Sequence, residues 1–183
     1  MDRLTQIANS LGTDKGTTAF CKHSYTETYN EFFESLVDQP VKMLEIGVAD
    51  PRFPGASAKM WAEYFKNLYF VGYDINKEAK RFEKDNVHIF IGDQNSPADL
   101  KKCLEVHGAD FDIIVDDGSH HAEHIITSYT NLFPALKQGG YYIIEDLHSI
   151  YSDGPATIAR IKGIYYATVI EQRHGGKMLV IKK

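Results

Sequence analysis

Short apolar runs alternate along the chain with stretches in which apolar residues recur at helical spacing, the pattern of an α/β protein with a parallel sheet. Residues 2–11 read as a short helix, and GTDKG, residues 12–16, as a polar break. Over 24–37, Tyr25, Tyr29, Phe32, Phe33 and Leu36 share one face of an amphipathic helix. Strand-like runs follow at about 41–46, 69–74, 87–92, 111–116 and 141–146. A helix is predicted from near Ser57 past Trp61 and Tyr64, and another over 122–136, with Gly139-Gly140 ending that unit. Between them, Ser96 is a good N-cap with Pro97 at the first helical position, which makes Leu100 and Leu104 helical. The end of the chain breaks the alternation: 164–171 and 177–182 are β-rich runs separated by RHGGK, an antiparallel hairpin. The expected architecture is a doubly wound, mostly parallel seven-stranded sheet ending in that hairpin.

At 183 residues the chain fits one domain, read as a helical cap over 1–38 and a Rossmann-like core over 39–183. A net charge of −5 argues against a basic surface for nucleic acid or an anionic membrane. Cys21 and Cys103 have no metal or redox spacing and read as reduced thiols. The N-terminus lacks a signal pattern and no apolar run approaches the roughly 18 residues of a membrane helix, so the expectation is a soluble, cytoplasmic protein.

Ligands of open α/β sheets bind beyond the carboxyl ends of the strands, near the reversal of strand order. The first strand ends in Glu45-Ile-Gly47, where a glycine lets the backbone approach a ligand closely. The second ends in Asp74, whose carboxylate can accept from both hydroxyls of a ribose, and the third in Gly92-Asp93-Gln94, placed to contact an adenine edge. A turn glycine and a helix-capping acid are the plainer readings of each alone. No G-x-G-x-x-G follows Gly47, which counts against a dinucleotide.

Two acidic pairs, Asp116-Asp117 and Glu145-Asp146, end the fourth and fifth strands. Neighbouring strands lie about 4.8 Å apart, so three or four carboxylates would crowd one sheet edge and repel unless a cation neutralised them. Hard oxygen donors without cysteine favour magnesium, manganese or calcium. Because side chains alternate, not every member of both pairs need be a ligand. His120, His121, His124 and His148 crowd the same region, and His120, three residues past Asp117, can act as a base there. Zinc on His120 and His124 is the competing reading, although the run is not HExxH.

LGTDKG, HSYTETY, LEIGV, GYDI, GDQN, DDGSHH and IIEDLHSIY, taken together over roughly residues 10–151, resemble the metal-dependent sugar O-methyltransferases of macrolide antibiotic biosynthesis, the mycinamicin type. The resemblance implies the class I methyltransferase version of the Rossmann-like fold, S-adenosylmethionine as cofactor, and magnesium or manganese. It puts the metal ligands on Asp117, Glu145 and Asp146 and the general base on His120. Glu45, Gly47, Asp74 and Asp93 fall on the cofactor cleft, and Lys15, Tyr25 and Tyr29 are expected to close over the methionine end of the cofactor. The acceptor is expected to be a small molecule or saccharide. One departure stands out: family members carry a long insertion before the final hairpin, whereas here about a dozen residues, Ser152 to Gly163, fill the gap. The acceptor pocket is then either shallow or completed by another subunit of a homo-oligomer. Two alternatives stay open, a catechol-type enzyme acting on an aromatic diol and a non-catalytic cofactor-binding domain.

Overall fold

The computed structural model describes residues 1–149, 152–162, 167–172 and 174–183. Its strands are β1 (Pro40–Ile46), β2 (Asn67–Asp74), β3 (Val87–Ile91), β4 (Phe111–Asp116), β5 (Leu136–Ile144), β6 (Ala167–Glu171) and β7 (Lys177–Lys182). The helices are α1 (Arg3–Leu11), α2 (Tyr25–Phe33), α3 (Ala56–Tyr64), α4 (Pro97–His107), α5 (Ala122–Leu132) and α6 (Gly154–Lys162). The strands form one sheet in the order β3-β2-β1-β4-β5-β7-β6. The first five are parallel, and β7 runs antiparallel to both β5 and β6. Strand order therefore reverses between β1 and β4, which opens a crevice at their carboxyl ends.

The central strands are apolar on both faces, as a sheet covered by helices on both sides requires. On one face Met43, Phe70, Val115 and Ile143 pack with Leu4 and Ile7 of α1, Tyr29 and Phe33 of α2, and Trp61 of α3. On the other, Leu44, Ile114 and Ile144 pack with Leu100 of α4, Ile125 and Leu132 of α5, and Ile161 of α6. The predicted cap opens α4: Ser96 Oγ accepts from Asp99 N at 3.2 Å, with Pro97 in the first turn. No helix among the described residues is long and apolar enough to cross a membrane.

Three of the departures from expectation have a clear local reason. The helix expected over 122–136 stops at Leu132 and tightens into a 3₁₀ turn over Phe133–Ala135, because Pro134 cannot donate to the helical ladder. Gly139-Gly140 does not end the unit. β5 begins at Leu136 and runs through both glycines as a bulge, pairing Leu136 with Phe111 and Tyr141 with Ile113, with Gly139 at φ +80°. α6 fills a segment where no element was expected. Its apolar repeat is short, but it packs Ile161 into the core, and Arg160 pairs with Glu123 of α5 at 2.5 Å. The hairpin is present as β6 and β7, while its expected first residues, 164–166, and Arg173 lie outside the described residues.

Candidate active site

Strand alternation decides which acids meet. Val115 and Ile143 are ladder neighbours on the face covered by α1 to α3, and Glu45 pairs with Val115. Two residues further along, the same side of the sheet presents Asp117 and Glu145. Backbone bonds from Asp117 N to Ile46 O and from Glu145 N to Asp116 O, both 3.0 Å, extend the ladder that far. Asp116 points the other way. It is buried against α5, where it accepts from the Ser128 hydroxyl and from Gln94 Nε2 at 3.0 Å, and burial pushes its pKa up to about 6.

The cation that gathers these acids is Lys15. Its ammonium lies 2.6 Å from Asp117 Oδ2, 2.7 Å from Glu145 Oε2 and 3.4 Å from Glu45 Oε1, with both lysine and glutamates buried. Burial favours the neutral amine, but Asp117, Glu145 and Glu45 together outweigh it and hold the lysine charged. The second oxygen of Glu145 accepts from the Tyr29 hydroxyl. Burial raises the Glu145 carboxyl, and the adjacent Asp117 raises it further. For Glu45, burial exceeds the pull of Lys15 and lifts its pKa to about 7. Two backbone bonds fix the GTDKG loop so that Lys15 reaches the acids. His23 N donates to Asp14 O at 2.7 Å, and Thr26 N to Lys15 O at 3.0 Å.

Asp146 leaves the strand in a left-handed conformation (φ +54°), as does His120 (φ +58°). Non-glycine residues in this region are uncommon and concentrate at functional sites. The two conformations turn the side chains toward each other. His120 Nε2 lies 3.7 Å from Asp146 Oδ2 and 3.9 Å from Asp117 Oδ1. One ligand atom from each of Asp117, His120 and Asp146 lies within 4.8 Å of the other two. The other oxygen of Asp146 accepts from Tyr25 Oη at 2.7 Å and faces His23 Nδ1 at 3.6 Å and His148 Nδ1 at 4.0 Å. Burial works to raise the Asp146 carboxyl, but His23, His120 and the Tyr25 bond reverse that and leave it lowered.

A cavity of about 450 Å³ runs along the ends of β1, β2, β3 and β4 and reaches this cluster. That volume lies within the range of small-molecule sites, about 300–1,000 Å³. Gly47, Asp74, Asp93, Asp117, His120 and Asp146 line it, as does Lys15. Asp74 Oδ2 accepts from Val48 N and Ala49 N, both at 2.9 Å, and Oδ1 from Asn76 N at 2.8 Å. A carboxylate offers about four lone-pair sites, so acceptor capacity remains toward the cavity. Phe53, which carries no signal in the sequence, and Ile75, whose only signal is its place in GYDI, add apolar wall.

Several expected cofactor contacts have other partners. Glu45 lies beneath Lys15 rather than on the cavity wall, the Lys15 ammonium is engaged by acids, and the Tyr25 hydroxyl holds Asp146. Gly47 lines the cavity and is also required by its own backbone: a Cβ there would stand 2.0 Å from the Asp117 carbonyl oxygen, and φ is +88°. Gln94 lines the cavity but uses its amide to join Asp116 to Ser119 N, at 2.7 Å. The His120–His124 zinc pairing has no helical basis, since α5 starts at Ala122 and His124 Nδ1 pairs with Ser119 Oγ at 2.8 Å. His23 does not stand out in the sequence as an individual residue, and its only signal there is its place in HSYTETY.

The donor chemistry fits a hard divalent cation. Two carboxylates, Asp117 and Asp146, converge, with a third, Glu145, held next to them by Lys15, and the His120 imidazole stands at their edge. The order of the sheet, its closing hairpin and a cavity at the strand ends define a class I S-adenosylmethionine methyltransferase fold. No family model matches the chain. Within that class the sequence relatives of the chain include sugar O-methyltransferases. It is 39% identical over 132 residues to the 8-demethyl-8-alpha-L-rhamnosyl tetracenomycin-C 2'-O-methyltransferase of Streptomyces olivaceus, covering 70% of this chain and 34% of that one. It is 36% identical over 135 residues to the mycinamicin VI 2''-O-methyltransferase of Micromonospora griseorubida, covering 72% and 33%. Among solved structures, MycE methyltransferase from the mycinamycin pathway, in complex with Mg, SAH and mycinamycin VI, superposes with a TM-score of 0.81 at 25% identity, over 100% of this chain and 55% of that one. The chain thus spans about a third of the length of the curated relatives it matches.

Proposed function

We propose that the chain is the donor-binding and catalytic portion of an S-adenosylmethionine- and divalent-metal-dependent O-methyltransferase whose acceptor is a hydroxyl of a sugar on a glycosylated natural product. One observation carries the reading: Asp117, Asp146 and His120 converge at the end of a cavity that starts at Asp74 and Asp93. The names of the relatives supply the acceptor class.

S-adenosylmethionine supplies an electrophilic methyl carbon on a sulfonium. Asp117 and Asp146, with Glu145 alongside, would hold magnesium or manganese, which when bound would supply the positive charge that lowers the pKa of an acceptor hydroxyl. Asp74 orients the ribose end of the donor through its one remaining acceptor site, and Asp93 bounds the adenine end. Gly47 lets the β1 and β4 loops close together, which sets Asp117 at the cavity wall. His120 takes the hydroxyl proton on its imidazole, and Asp117 and Asp146, both within 4 Å, stabilise the imidazolium that forms. Phe53 and Ile75 offer apolar surface beside the donor.

The test is Asp117→Asn. Losing about 3 kcal/mol of charge stabilisation corresponds to a fall of roughly a hundredfold or more in kcat, with S-adenosylhomocysteine affinity by calorimetry largely kept. Full activity of that variant, or of the wild type in excess chelator, rules the mechanism out. Turnover of catechols but not of glycosides moves the acceptor to aromatic diols.

A further inference from the structure

A second group of ligating atoms lies on the far side of Asp146 from the cavity. His23 Nδ1, Asp146 Oδ1 and His148 Nδ1 face one another, with the nitrogens 3.6 Å and 4.0 Å from the shared oxygen and all three atoms within 4.8 Å. Neither nitrogen is close enough for a hydrogen bond to that oxygen. His23 Nδ1 is buried and, among the described residues, has no hydrogen-bond partner. A buried nitrogen left in this state costs on the order of 1–3 kcal/mol, so it calls for an explanation. A cation among the three atoms supplies one. Ligands about 2.0–2.2 Å from a tetrahedral ion stand roughly 3.4 Å apart, close to the spacings here.

We propose that His23, Asp146 and His148 form a second metal site, selective for a borderline divalent cation of the zinc type. Two imidazoles and one carboxylate suit zinc, cobalt or nickel and offer little to magnesium, which prefers oxygen. Three protein ligands leave a fourth position, and the His148 side chain, 38% exposed, opens it to water. Asp146 serves both clusters through different oxygens, Oδ1 here and Oδ2 toward His120. Its Oδ1 has two lone pairs, so it keeps the Tyr25 bond while ligating. The ion ties the segment leading into α2 to the loop after β5 and fixes the Asp146 carboxylate from behind. His23 stacks on Tyr25 with ring centroids 5.3 Å apart and lies against His148 at 5.4 Å, so the imidazoles are already held near their ligating positions. The site stands independently of the methyl-transfer reading.

The experiment is equilibrium dialysis of metal-stripped protein against zinc, with magnesium in large excess. The wild type retains one zinc per chain. His23→Gln and His148→Gln each weaken zinc binding at least about tenfold, since a ligand counts for no less than an outer-shell partner. Asp117→Asn and His120→Gln retain it. Cobalt in the wild type gives the intense visible absorption of a low-coordinate, nitrogen-rich site, a readout that needs no variant to fold. The proposal is overturned if the wild type binds no zinc or if cobalt shows only weak six-coordinate absorption. It is equally overturned if zinc is lost in Asp117→Asn or His120→Gln, or survives both His23→Gln and His148→Gln. Loss of methyl transfer in Asp117→Asn with zinc retained separates this site from the one proposed for catalysis.

Discussion

Replacing Lys15 by methionine keeps most of the aliphatic stem and removes the charge that three carboxylates share. The ammonium is the only cation within 4 Å of Glu45 or Glu145 among the described residues, and Glu145 is already pushed toward its neutral form. Removing one partner of a buried ion pair costs about 3–5 kcal/mol, because the other charge stays buried without compensation. One or two of the acids will take up a proton, which limits the loss to that range. For 183 residues each kcal/mol corresponds to about 2–4 °C of Tm, so metal-free Lys15→Met should melt roughly 6–20 °C below the wild type. A divalent cation can replace the missing charge. Millimolar manganese should therefore raise the Tm of the variant by more than it raises that of the wild type, and calorimetry should show tighter manganese binding by the variant. The assay is thermal unfolding with and without chelator, supported by circular dichroism. A metal-free loss below about 1 kcal/mol would mean that Lys15 does not balance the cluster. Equal manganese affinity in the two proteins would mean that lysine and metal do not compete.

Other consequences are local. Gly47→Ala places a methyl against the Asp117 carbonyl at a left-handed φ, and overpacking with strain should lower stability by about 2–4 kcal/mol in denaturant unfolding. An unchanged midpoint would show that the two loops can separate freely. Asp74→Ala strips the acceptor from Val48 N, Ala49 N and Asn76 N, and should weaken S-adenosylhomocysteine binding about tenfold or more by calorimetry. Wild-type affinity in that variant would remove Asp74 from the donor site. Burial pushes the Cys103 thiol up to about 12, whereas Cys21 is partly exposed. Iodoacetamide at about pH 8 should therefore label Cys21 in the native protein and reach Cys103 only after unfolding, as read by peptide mass spectrometry. Rapid native labelling of Cys103 would contradict its burial on the core-facing side of α4.

Much of this protein can be read along the chain because the relevant signals are local and periodic. The five parallel strands follow from continuous apolar runs, the start of α4 from Ser96-Pro97, and the closing hairpin from two β-rich runs around a glycine pair. Period-two alternation also divides the first acidic pair, so that Asp116 and Asp117 must face opposite sides of the sheet. What the sequence leaves open is the partner of each charge. Lys15 stands 102 residues from Asp117 and 130 from Glu145, a separation over which no spacing rule operates. A crowded set of acids requires a cation, but only the folded chain shows that a lysine already stands among them, with Tyr29 and Tyr25 donating to Glu145 and Asp146. The same applies to His23, which acquires a role only when α2 docks beside β5. Hydrophobic periodicity is a property of neighbouring residues and can be read in order. Charge compensation depends on distance through space, and it is decided when the N-terminal segment folds over the ends of the strands.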